Sequence, residues 1–64
     1  MRHTEFWSRT EAALGVNVAR FWADQHVLSE LGGRTPVQAL DQGVPPKTVW
    51  AAVWAVLELP AKDR

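Results

Sequence analysis

Gly32-Gly33-Arg34-Thr35-Pro36 is the stretch from which the fold of this chain is read. Its first half stops a helix. Glycine is the usual residue just past a helix C-terminus, because it accepts the left-handed backbone found there. Its second half starts another helix. A Thr side-chain oxygen caps the first exposed N–H groups, and a proline ring already has the dihedral of the first helical position. Gln38, three residues after Thr35, completes the pattern of a capping box. Two helices joined by a sharp corner are therefore expected here.

Working outward, the spacing predicts four helices, at about 5–14, 18–31, 36–42 and 46–59. Upstream of the corner, Asn17 reads as an N-cap, with Val16 and Phe21 as a hydrophobic staple. Val18, Phe21, Trp22, Gln25 and Leu28 form the expected buried stripe, and Leu31 closes the last turn. Earlier still, Thr4 is the expected cap of the first helix, Glu5 suits the positive end of its dipole, and Gly15 ends it. Phe6, Trp7, Thr10, Ala13 and Leu14 share one face at helical spacing. Downstream, the short third helix is anchored by Val37 and Leu40 and punctuated by Gly43. Pro45-Pro46 then interrupts and restarts the chain, Pro46 being acceptable in a first turn. The fourth helix stops at Pro60. Its inward face is Val49, Trp50, Val53, Val56 and Leu57, with Ala51, Ala52 and Ala55 opposite. Residues 60–64 are expected as a frayed tail. No alternation of strand type competes, so the fold class is an all-α bundle in a single domain, residues 1–64.

Composition narrows the function. A chain of 64 residues buries only about 60% of the surface its unfolded form exposes. Four Trp and two Phe compensate in part, since each aromatic can bury roughly 150–250 Å². Seven basic and seven acidic residues give a formal net charge of zero. The halves balance as well: 1–32 carries three basic and four acidic residues, 33–64 four and three. A nucleic-acid partner is disfavoured by that balance, because such binders show a basic excess or stripe. The absence of cysteine excludes disulfides and thiolate metal sites. No signal-peptide pattern follows Arg2, and the longest apolar run, Val49–Leu57, is too short for a membrane span of about 20 residues. A cytoplasmic location without membrane contact is the expectation.

Several residues recur in an order that marks a family. They are Arg2, Thr4-Glu5-Phe6-Trp7, Gly15, Trp22-Ala23, Asp24, Val27-Leu28, Glu30-Leu31-Gly32-Gly33-Arg34-Thr35, Ala39-Leu40, Gly43, Lys47 and Val49-Trp50. Through them the chain resembles the small actinobacterial family catalogued as domain of unknown function 3046, over nearly its whole length. Two positions depart from the family pattern: Ala51 stands where members often carry Arg, and Trp54 where many carry Cys. The resemblance implies a short soluble protein without assigned activity. It also implies a setting in DNA metabolism, because such genes often neighbour that of the homologous-recombination strand-exchange protein.

Of the local patterns, Ala39-Leu40-Asp41-Gln42-Gly43-Val44 with Thr48-Val49 and Val53 has the spacing of a repressor-type helix-turn-helix. In that geometry Pro46, Lys47 and Ala51 face the groove, with Trp50 nearby. Only Lys47 reaches a phosphate, with Trp50 beside it, and none reads base edges by paired hydrogen bonds. Asp24, His26 and Ser29 resemble triad ingredients, but residues two apart on a helix point away from each other, so no catalytic site is expected. His3 and His26 lack a third ligand, so neither a metal nor a cofactor is expected. Trp54 lies at the edge of its stripe beside Ala51 and Ala55, a surface suited to a protein partner or to self-association, since Trp is enriched at binding hot spots. Arg34 either satisfies the helix carbonyls before it, pairs with Glu30, or meets a partner. The expected function is a non-enzymatic protein-interaction module. The alternative is a helix-turn-helix-like DNA-binding protein linked to DNA metabolism.

Overall fold

A single residue separates the first two helices. In the computed structural model, which describes residues 1–64, α1 spans His3–Leu14, α2 spans Val16–Gln25, and Gly15 is both the C-cap of one and the N-cap of the other. Its φ of 94° and ψ of 150° lie in a region essentially restricted to glycine. Its N–H donates to the Glu11 carbonyl at 2.7 Å, while its own carbonyl accepts from Val18 and Ala19 at 3.2 and 3.0 Å. α3 (Pro36–Asp41) and α4 (Pro46–Val56) complete an all-α fold of four helices in which the third is the shortest.

Two helix starts differ from expectation. Thr4 is not a cap: the Arg2 carbonyl already accepts from Phe6 N–H at 3.0 Å, so α1 begins at His3, without a side-chain cap. Asn17 is not a cap either, because the Gly15 carbonyl starts α2 at Val16 and leaves Asn17 inside the first turn. Val16 and Phe21 are both exposed, so they form no staple.

The larger correction concerns α2, which ends at Gln25 and not at Leu31. Its buried residues are Ala19 and Ala23, fully enclosed, whereas Val18 and Phe21 are 49% and 71% exposed. Gln25 is exposed too, and Trp22 is half-buried. At about 100° per residue, the Val18, Phe21 and Gln25 side of α2 lies nearly opposite the Ala19 and Ala23 side. The one-residue joint at Gly15 holds α2 close to α1, and at that approach alanine fits where Phe does not. A continued helix would turn Leu28 roughly 160° away from the Ala side. Leaving the helix at His26 (φ −89°, ψ 113°) instead lets Leu28 turn inward to 2% exposure.

The connector that follows is a closed turn. Ser29–Leu31 forms a 3-10 turn, and Leu28 pairs with Arg34 in an isolated antiparallel bridge, its N–H donating to the Arg34 carbonyl at 3.0 Å. Gly32 is the left-handed C-cap at φ 69°, so the glycines stop this turn and not α2 itself. The expected capping box is present: Gln38 N–H donates to Thr35 Oγ1 at 3.1 Å, and Thr35 N–H to Gln38 Oε1 at 3.0 Å. α3 then buries Pro36, Ala39 and Leu40, with Val37 half-buried.

The core gathers around α4. Val49, Trp50, Ala52 and Val53 meet Phe6 of α1, Leu28 and Leu31 of the connector, and Ala39 and Leu40 of α3. Phe6 makes edge-to-face contacts with Trp7 at 5.2 Å and Trp50 at 6.4 Å between centroids. Ala52 is buried with this group and not on the outer side with Ala51 and Ala55. α4 stops at Val56, earlier than expected, because Glu58 adopts a left-handed conformation (φ 53°). Glu58 and Leu59 N–H groups then close back onto the Ala55 and Trp54 carbonyls at 3.2 Å each, the double closure of a Schellman ending.

The expected frayed tail is a docked strap. Ala61–Asp63 forms a 3-10 turn, and three of the tail's carbonyls are held by side chains of the bundle. Trp54 Nε1–H donates to Pro60 O at 2.9 Å, Trp50 Nε1–H to Asp63 O at 3.1 Å, and Arg9 Nη1 to Arg64 O at 3.0 Å.

Candidate functional site

The α4 surface, read from sequence as a partner surface, is covered in part. Ala51 and Ala55 are exposed as expected, but Trp54 is half-buried. Its indole N–H is spent on Pro60 O, and the Arg64 guanidinium lies 5.4 Å above its ring. Trp50, named as a DNA contact, is 3% exposed and bonded to Asp63 O, so it offers no surface to a ligand. Lys47 is exposed at the start of α4 and is the sole basic residue between Pro36 and Val56. Beside this strap, Arg9, Ala12, Ala13, Trp50, Leu59, Lys62 and Asp63 line a shallow groove of about 270 Å³. Arg9 is already committed there, to Glu5 Oε2 at 2.9 Å and to Arg64 O.

Arg34 is exposed and donates from Nη1 to the Leu31 carbonyl at 3.2 Å, so it satisfies the end of the 3-10 turn. Glu30 does not pair with it and instead accepts from Ser29 Oγ at 3.1 Å. Asp24 accepts from Gln25 Nε2 at 3.0 Å, and His26 stacks on Trp22 at 5.0 Å between ring centroids. Asp24, His26 and Ser29 therefore engage separate neighbours, and no three His, Asp or Glu side chains come close enough together to hold a metal ion. No buried side-chain nitrogen or oxygen lacks a hydrogen-bond partner. Thr10, the one polar residue buried on α1, donates to the Phe6 carbonyl at 2.8 Å.

The larger concavity lies on the other side of the molecule, where α1, α2 and α3 meet. It has a volume of about 530 Å³ and is lined by Trp7, Phe21, Val37 and Leu40, with His3, Arg20, Asp24 and Asp41 contributing polar edges. Each wall has a local cause. Trp7 follows the buried Phe6, which holds its ring edge-on. Val37 and Leu40, three residues apart, fall on one side of α3, whose start is fixed by the Thr35 cap. Phe21 stands out because α2 buries its alanine side. Arg20 reaches across to place its guanidinium 4.4 Å above the Trp7 ring, a cation–π contact that braces α2 against α1.

Phe21 is the functional candidate that the sequence reading assigned to the core. A signal for it exists in the sequence: α2 carries two apolar stripes, Ala19 with Ala23 and Val18 with Phe21, and only one of them can face inward.

No helix is long and apolar enough to cross a membrane. No curated protein and no solved structure matches the chain. One family does, over residues 1–62. Its reach takes in the corner at 32–36, the α1–α3 groove and most of the tail strap. The chain therefore belongs to the family described as protein of unknown function (DUF3046).

Proposed function

We propose that this protein is a non-enzymatic protein-interaction module whose contact surface is the groove between α1, α2 and α3, with Phe21 as its anchor. One observation carries the reading: a large aromatic side chain is 71% exposed on the rim of a concavity lined equally by apolar and polar residues, while the other five aromatic residues, Phe6, Trp7, Trp22, Trp50 and Trp54, are buried or half-buried. Aromatic side chains held at a groove are the usual energetic centres of protein interfaces. An exposed apolar patch on a small domain also marks a contact site more often than chance placement.

The test compares affinity capture from cells by three baits: the wild type, Phe21→Asp and Trp54→Ala. A specific partner should be retained by wild type and by Trp54→Ala and lost with Phe21→Asp, whose circular dichroism should match wild type. A partner that survives Phe21→Asp and disappears with Trp54→Ala would move the contact surface to α4.

A further inference from the structure

We infer that the occupant of this groove is a segment of a partner protein that pairs an apolar anchor with an adjacent lysine or arginine. The inference rests on the protein-binding reading above and adds the partner's charge. The groove has an apolar floor of Trp7, Val37 and Leu40 and an apolar post in Phe21. Its ionisable edge is unbalanced. Asp24 sits in the last turn of α2 and Asp41 is the final residue of α3, where the helix dipole is negative and a carboxylate is unfavourable. Neither helix has a basic residue in its last turn to offset this. Neither carboxylate has an ion-pair partner: the salt bridge present in the protein joins Arg9 to Glu5.

The groove's own cation does not fill the need. Arg20 is drawn over the face of Trp7, 4.4 Å from its centroid, and not onto either aspartate. With His3 neutral, Asp24, Asp41 and Arg20 leave the lining one negative charge in excess. A groove of mixed lining, with an apolar floor and uncompensated carboxylates on two of its walls, complements an amphipathic segment with a basic flank. An acidic segment would meet like charge at both helix ends, which costs affinity and specificity. A helix laid into the groove with its apolar stripe on Phe21 and Leu40 follows a common mode of peptide recognition.

Peptide display against the intact protein tests this. Random peptides are selected on wild type, with Phe21→Asp as counter-selection and Asp24→Lys/Asp41→Lys as a parallel target. The inference expects enriched sequences that combine large apolar residues with Lys or Arg, depend on Phe21, and lose their basic bias on the charge-reversed target. In solution, Asp24→Asn/Asp41→Asn should weaken an enriched peptide roughly tenfold at low salt. Phe21-dependent peptides without basic bias would overturn the inference and leave the interaction reading standing. No Phe21-dependent enrichment would overturn both. Concentration-dependent dimerisation in sedimentation that is abolished by Phe21→Asp would replace the partner with a second copy of this chain.

Discussion

Trp50 and Phe21 are both large aromatic residues on helices that contact α1 or the core, yet the protein treats them in opposite ways. On the α4 side each indole is finished. Trp50 packs against Phe6 and donates to Asp63 O, Trp54 donates to Pro60 O, and Arg9 and Arg64 lie over the two rings. On the α2 side Phe21 has no such cover. Its helix buries alanine and leaves the aromatic outside. Aromatic content alone therefore says little about where a partner binds. What distinguishes the two sides is whether the chain has already supplied the contacts that a partner would otherwise make.

Three substitutions test how far that contrast goes. Trp50→Ala should have the largest effect, a loss of about 3–5 kcal/mol from removing a buried aromatic. For a chain of this size, with a total stability of about 3–10 kcal/mol, that is enough to unfold much of the population, read by urea denaturation followed by circular dichroism. A loss below about 1 kcal/mol would mean that the α4 side is not the core. Trp54→Phe keeps most of the ring and removes the bond to Pro60 O. It should cost about 0.5–1.5 kcal/mol, towards the lower end because the bond is exposed. The melting temperature should fall by about 4–8 °C for each kcal/mol. An unchanged melting temperature would show that the strap is not held by this bond. Phe21→Ala should be the mildest, within about 0.5 kcal/mol of wild type. A loss above about 2 kcal/mol would mean that Phe21 supports the fold, and the contrast between the two sides would collapse.

How much of this was legible depended on the range of the interaction. The Thr35-Pro36-Gln38 capping box is local: the residues that form it are neighbours in sequence, and it is found where the spacing places it. The left-handed turn at Gly32 and most of the inward face of α4 were legible for the same reason, although Gly32 ends the 3-10 turn and not α2, and Ala52 joins the inward face. The buried side of α2 was not, because Val18 with Phe21 and Ala19 with Ala23 are both apolar stripes at helical spacing. The choice between them is made by the short joint to α1, which sequence periodicity does not record. Leu28 misled for a related reason: it is a core residue, but it reaches the core by leaving the helix. The strap was invisible because its partners are backbone carbonyls of Pro60, Asp63 and Arg64, groups that every residue carries. The groove followed from the same error as α2, since a Phe assigned to the core cannot also line a surface.

The joint at Gly15 has a mechanical consequence. Because no other residue intervenes between α1 and α2, one pair of backbone angles sets the direction of the whole of α2. The helix is ten residues long and so acts as a lever of about 15 Å. A rotation of about 10° at Gly15 would carry its far end roughly 2–3 Å, shifting Phe21 and Asp24 together against Val37 and Asp41 on the facing wall. The width of the groove is thereby geared to a single glycine that lies outside it. A side chain at position 15, forced away from φ 94°, would reshape the recognition surface without touching any residue that lines it.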